Sequence, residues 1–168
     1  MGISSIKSTS ATATLGLWKM TETWQELLPE VKLTEEEMAP LQALARDKRK
    51  WEWLACRKLL NEMTNLPPIV RHNTDRKPSL LNFEGYISFS HSGDYACVYI
   101  DTEKLVGADI QQMKPSIEKG IDYFLNHEEQ SWVNAGDNLL LHLIWSAKEA
   151  VFKFAGDADL DLRLHLTA

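Results

Sequence analysis

The chain has 168 residues, 44% of them hydrophobic and 25% charged, proportions that fit one globular domain or two small subdomains and exclude a disordered chain. Its formal net charge of −6 argues against a general nucleic-acid binder, whose affinity rests on a basic surface.

Residues 1–14 are rich in Ser and Thr and are expected either to fray or to lead into a strand over Leu15 to Met20. Thr21 followed by Trp24-Gln25-Glu26-Leu27-Leu28 predicts a short helix. Thr34-Glu35-Glu36-Glu37 predicts the capped start of a longer one, in which Pro40 either fits the first turns or breaks them. From Leu41 to Met63 the apolar spacing is helical, with a cationic block from Arg46 to Lys50 and again at Arg57-Lys58. Such a block is either a solvated helix face or an anion site. Pro67-Pro68 is expected to end that helix, and Asp75-Arg76-Lys77-Pro78 to form an exposed turn.

Tyr86 to Ser90 and Tyr95 to Asp101 alternate as strands around the turn His91-Ser92-Gly93-Asp94. Thr102-Glu103-Lys104 then reads as a hairpin connection into a strand over Leu105 to Gln111, where a period of two puts Asp109 and Gln111 on one face. An acid in mid-strand is unusual enough to suggest a function. Helices are expected over Ile117 to Phe124, over His127 to Val133 with Asn126 as cap, and from about Leu139 to Lys153. The alternating tail Leu160 to Leu166 reads as a strand with its leucines inward.

The two cysteines, Cys56 and Cys97, lie far apart in apolar segments without metal-ligand spacing, as buried free thiols of a reducing compartment would. The longest apolar run, Leu139 to Trp145, is too short for a bilayer, and no apolar signal core opens the chain, so a cytoplasmic protein without membrane contact is expected.

Within the last long helix, Trp145, Glu149 and Lys153 fall on one face. A Glu-to-Lys pair one turn apart is often a surface pair, but large apolar neighbours at Trp145 and Phe152 imply partial burial. Charges brought to an apolar face usually meet a ligand or a metal. His127, His142 and His165 have no partner at ligand spacing and read as structural, and Trp51, Trp53 and Trp132 as core or interface residues. A hydrolase built on Ser90 or Ser92 with His91 is disfavoured, because neighbouring side chains on a strand point apart and no G-x-S-x-G elbow is present.

Four signals therefore occur in order: Arg76-Lys77-Pro78, Phe89-Ser90-His91-Ser92-Gly93, Val106-Gly107-Ala108-Asp109-Ile110-Gln111, and Trp145-Ser146-Ala147-Lys148-Glu149-Ala150-Val151-Phe152-Lys153. Together they resemble the larger, monomeric type of 4'-phosphopantetheinyl transferase, with its patterns G-K-P, F-N-x-S-H-S, G-[IV]-D-[IV]-E and [FW]-[ST]-x-K-E-[SA]-x-x-K. The resemblance runs over roughly residues 15–166.

The resemblance implies an α+β fold of two similar subdomains, 1–103 and 104–168, related by a pseudo-twofold with coenzyme A between them. It implies Mg²⁺-dependent transfer of the phosphopantetheine arm to a serine of an acyl or peptidyl carrier protein, with release of adenosine 3',5'-bisphosphate, as by a holo-[acyl-carrier-protein] synthase. Asp109, Glu149 and Gln111 would meet the metal, and Glu149 and Lys153 would act in catalysis. Lys77, Ser90 and His91, with Arg46 and Arg49 of the cationic helix, would grip the nucleotide end of coenzyme A. Glu128 or Glu129 would either touch the metal's waters or serve as a helix-start charge, and Ile121 to Leu125 would offer an apolar dock to the carrier.

Two departures stand out: Gln111 replaces the usual second acid, and the chain stops at Ala168 where relatives of this type continue. The second points either to a short member or to a missing C-terminal end, and the first to weaker metal binding. They also keep open a non-catalytic module of the same fold that binds coenzyme A or a carrier protein.

Overall fold

The computed structural model describes residues 2–64 and 68–168. Its centre is a four-stranded antiparallel sheet in the order β1-β2-β6-β5, formed by β1 (Ile3–Ser8), β2 (Ala13–Lys19), β5 (Tyr86–Ser92) and β6 (Tyr95–Asp101). A separate two-stranded hairpin joins β3 (Val70–His72) to β4 (Pro78–Leu80). The Ser/Thr-rich N-terminus does not fray. It forms the edge strand β1, because its β-formers find the free edge of β2 and need little burial there.

The helices of the first half follow their local signals. α1 (Trp24–Leu27) and α2 (Glu35–Ala43) both open with capping boxes, Thr23 with Glu26 and Thr34 with Glu37. Pro40 sits inside α2, which ends within the next turn. α3 (Asp47–Met63) lays Leu54, Leu59 and Leu60 on the sheet against Trp18, Ile87, Val98 and Ile100, with all seven at 6% exposure or less. This core alone fixes the sheet side of the molecule, since each fully buried aliphatic side chain contributes about 1.5–3 kcal/mol. α3 already ends at Met63, and the expected break at Pro67-Pro68 falls partly on residues 65–67, outside the described ones.

Residues 104–168 depart from expectation in three ways. The segment after Lys104 joins no strand of the described residues by main-chain bonds. The tail over Leu160 to Leu166 forms turns instead of a strand, with Leu164 74% exposed. The stretch at Ile117 to Phe124 is a 3-10 turn, Ile117–Gly120, followed by one turn of helix, α4 (Ile121–Phe124). Alternation in the tail had no neighbouring edge to pair with, and strand periodicity alone supplies no partner. Among the described residues after 101 there is thus no strand, and helices carry this half: α4, α5 (His127–Trp132) and α6 (Asn138–Ala155).

These helices share a second core of Phe124, Leu125, Val133, Leu141 and Ile144, against which Trp145 packs edge-on to Phe124 at 5.3 Å. Burial of Phe124 and Leu125 corrects the expected dock at Ile121 to Leu125, whose only exposed apolar side chain is Tyr123, at 78%. Trp132 is likewise half exposed and not a core residue. No helix of the described residues is long and apolar enough to cross a membrane.

Candidate active site

The chemistry gathers where the sheet side meets α6. Gly107 lets the two approach: a Cβ there would overlap the carbonyl of Ala150 and the nitrogen of Phe154, so only glycine brings this segment against the α6 backbone. Two residues later, Asp109 lies beside the α6 face that carries Glu149 and Lys153. The Lys153 Nζ donates to Asp109 Oδ1 at 2.6 Å and to the Ser90 hydroxyl at 3.0 Å, and Ser90 Oγ donates to the same Oδ1 at 2.8 Å. The Asp109 side chain is 7% exposed and Lys153 26%. Strand β5, the segment through Asp109 and helix α6 thus bring Ser90, Asp109 and Lys153 into a single cluster, in which Ser90 was not expected.

Glu149 stands one turn before Lys153 on the same helix. Burial pushes its carboxyl above the usual range, Lys153 draws it down and Asp109 pushes it up again, so it feels both members of the cluster. The other Asp109 oxygen, Oδ2, is buried without a hydrogen-bond partner among the described residues. A buried carboxylate oxygen without a donor, beside a second carboxylate held above its ordinary pKa, is the donor set that a hard cation satisfies. Two acids are few: among the described residues no three His, Cys, Asp or Glu side chains gather at metal-ligand geometry. Gln111 faces the same way as Asp109, as the two-residue period predicted, and its Oε1 accepts from Ser92 Oγ at 3.3 Å.

Beside this cluster opens a cleft of about 560 Å³, lined by His72, Arg76, Lys77, Phe89, Phe152 and Lys153. Lys77 is in place but engaged: its Nζ donates to the carbonyl of Phe154 at 2.7 Å, and its stem packs against Gly156, the left-handed residue (φ 65) that ends α6. It therefore ties the β3–β4 hairpin to the end of α6. A smaller pocket of about 160 Å³ next to the cleft is lined by Arg49, Glu52, Arg57, His72 and His91 among others. Arg49 Nη1 donates to His91 Nε2 at 3.2 Å, and since guanidinium cannot accept, the imidazole proton lies on Nδ1, 3.4 Å from Glu52 Oε2. Burial lowers the pKa of His91, with Arg49, Lys153 and Lys48 acting the same way and Glu52 opposing.

Of the residues expected to meet the nucleotide, Ser90 departs most. It is 4% exposed, and its hydroxyl is fully used by Asp109, Lys153 and the Ile110 amide. Arg46 is exposed at the N-cap position of α3, one turn before Arg49, and is not among the residues lining either pocket. His91, Arg49, Lys77 and Lys153 do line these pockets.

Two groups escaped the sequence reading. Arg57, read only as part of a basic stretch, is 5% exposed, lies 3.6 Å from Glu37 Oε1 and stacks 3.9 Å over Trp53 at the wall of the smaller pocket. Lys148 is 3% exposed and donates to Glu129 Oε2 and the Phe124 carbonyl, both at 2.6 Å, and to the Leu166 carbonyl at 2.9 Å. Glu129 is fully buried there and also closes the capping box with Asn126, which favours the helix-start role over contact with a metal's waters. Burial raises its pKa, but the Lys148 hydrogen bond and the amides of Asn126 and Ala168 outweigh this and hold the carboxyl below the usual range. The signal for Glu129 was present, since Asn126-x-x-Glu129 is a capping box, whereas nothing local pointed to Lys148 as its partner.

Residues 105–165 match a family model described as the 4'-phosphopantetheinyl transferase superfamily. The chain is also similar to the 4'-phosphopantetheinyl transferase AcpT of Escherichia coli strain K12 and to that of Escherichia coli O157:H7. Each is 28% identical over 115 residues, which cover 64% of this chain and 59% of the relative. The match thus spans about three-fifths of the curated relatives' length. The segment that is similar to this superfamily holds Asp109, Glu149 and Lys153, so the likeness falls on the residues gathered at the seam.

Proposed function

We propose that the chain transfers the 4'-phosphopantetheine arm of coenzyme A to a serine of an acyl or peptidyl carrier protein, with Mg²⁺, acting as a cytoplasmic monomer. In this reading residues 1–103 and 104–168 are two related units that share the donor between them. The carrying observation is the cluster of Asp109, Lys153 and Glu149 at the seam between β5 and α6, beside a cationic cleft.

The reaction joins the serine Oγ to the phosphorus that bears the pantetheine arm and breaks that phosphorus's bond to the nucleotide, which leaves as adenosine 3',5'-bisphosphate. Attack on an already anionic phosphorus is opposed by charge repulsion, so positioning and electrostatics matter most. Asp109 and Glu149, with the Gln111 amide, would hold Mg²⁺, which supplies charge neutralisation at the pyrophosphate when bound. Lys153 bridges the cluster and the cleft, so its ammonium offers charge to the departing phosphate. Glu149, with its raised pKa, receives the serine proton. Arg49 offers positive charge to the nucleotide's terminal phosphate, His91 joins it as an N–H donor once it takes up a proton, and Lys77 holds the cleft's wall to the end of α6.

A second reading, a binding module of the same fold without turnover, draws on the small set of acids and on Gln111. One experiment separates the two: incubate the chain with coenzyme A, Mg²⁺ and an apo carrier protein, and follow the carrier by mass spectrometry. A gain of one phosphopantetheine arm that Glu149→Gln suppresses establishes the enzyme. Coenzyme A binding by calorimetry with no mass gain establishes the module.

A further inference from the structure

The segment that carries Asp109 has no strand partner among the described residues, yet it lies in register along β5. Three serine hydroxyls do the work of a main-chain ladder: Ser88 Oγ accepts from Ala108 N at 3.1 Å, Ser90 Oγ from Ile110 N at 3.1 Å, and Ser92 Oγ from Gln112 N at 2.9 Å. Both series climb by two, so the segment runs parallel to β5, and a two-residue period puts all three serines on one face of that strand. Two rungs bond twice to the segment. Ser90 also donates to Asp109 Oδ1 and Ser92 to Gln111 Oε1, so the alternate side chains of the segment are gripped along with its amides.

We infer that Ser88, Ser90 and Ser92 form a hydroxyl ladder that substitutes for strand pairing, and that Ser90 is the positioning residue that sets the orientation of the Asp109 carboxylate. A hydroxyl has one proton and two lone pairs, and Ser90 uses all three, on Asp109, on the Ile110 amide and on Lys153. Ser90 and Lys153 together saturate Oδ1, which leaves Oδ2 as the oxygen with lone pairs to offer. Ser90 therefore decides which oxygen faces an incoming cation, and the segment can shift against β5 more easily than a paired strand because side chains alone suspend it. The cation's role rests on the transferase reading; the ladder does not.

The test uses the full chain, with amide hydrogen exchange measured without coenzyme A or metal, and Mg²⁺ titrated alone by calorimetry. In Ser90→Ala the Ile110 amide should exchange about five- to tenfold faster, the loss expected for one hydrogen bond, while the amides of β2 and β6 keep their wild-type rates. Mg²⁺ affinity should fall about tenfold, and the transferase should need more Mg²⁺ for half-maximal rate while its KM for the carrier stays put. Ser90→Thr, which keeps the hydroxyl, should restore both readings. Should Ser90→Ala fail to fold, Ser92→Ala, at the half-buried end of the ladder, must speed exchange at the Gln112 amide. Unchanged exchange at these amides overturns the ladder even where transfer is active. Faster exchange with unaltered Mg²⁺ affinity overturns the orienting role of Ser90, and faster exchange in a chain that never transfers the arm keeps the ladder and removes the transferase reading.

Discussion

Replacing Lys148 by Met removes the positive member of a fully buried pair, and the structure sets the size of the effect. Breaking a buried ion pair from one side costs about 3–5 kcal/mol, because the remaining charge is left without compensation. Here Glu129 keeps two amide donors, Asn126 N at 2.8 Å and Ala168 N at 2.7 Å, which holds the electrostatic loss near the low end of that range. The carbonyls of Phe124 and Leu166 lose their donor as well, adding about 1 kcal/mol. A total of about 4 kcal/mol is a large share of a stability of about 5–15 kcal/mol. In urea, with a slope of about 2 kcal/mol per molar, the midpoint should fall by about 2 M.

The pH dependence gives a sharper check. In the native chain the lowered pKa of Glu129 contributes stability above its ordinary value, and that contribution is lost as pH falls through the folded value. Without Lys148 burial dominates, the carboxyl is raised, and acidification favours the folded variant, so the gap between the two proteins should narrow from pH 7 to pH 4. Adding Glu129→Gln to Lys148→Met should recover about half of the loss at pH 7, because the buried charge is gone while the capping oxygen remains. A loss below about 1 kcal/mol at neutral pH, or a gap that does not change with pH, would refute the reasoning.

Three further outcomes are expected. Lys153→Ala should leave the fold intact, since the side chain is a quarter exposed, and lower kcat by about 10²–10³. The acidic limb of its pH–rate profile should also move up, because Lys153 draws the Glu149 carboxyl down; an unmoved limb with near-normal turnover removes Lys153 from catalysis. His91, held neutral by burial, should take up a proton when a phosphate binds beside it, so calorimetry of coenzyme A binding at pH 6.5 in buffers of different ionisation heat should show uptake that His91→Ala abolishes. Equal heats in all buffers would contradict this. Gln111→Glu should tighten Mg²⁺ in the absence of coenzyme A and weaken the synergy between metal and donor, because a third charged oxygen then faces the ion. Titrations identical to wild type would place Gln111 outside the metal site.

Much of this protein is written in short-range pattern. Thr23 with Glu26, Thr34 with Glu37 and Asn126 with Glu129 announce three helix starts, and the strands β5 and β6 follow their alternation. The spacing of Trp145, Glu149 and Lys153 already puts both charges on one helix face, and the ordered motifs point to the family before any fold is known. These features depend on residues within a turn or a hairpin of each other, where geometry follows from the local period.

What the tertiary structure decided is where polar groups find their partners across the chain. The alternation at Leu105 to Gln111 promised a strand, but the amides of Ala108, Ile110 and Gln112 went to serine hydroxyls twenty residues earlier instead of to a main chain. The alternation at Leu160 to Leu166 met no free edge, and that tail was drawn to Lys148 and Glu129 instead. Ser90 read as a ligand group only through the family resemblance, and packing revealed that Asp109, Lys153 and Ile110 use up its hydroxyl. A buried polar group must be satisfied by whatever donor the fold brings near, and the sequence period carries no information about that donor's identity.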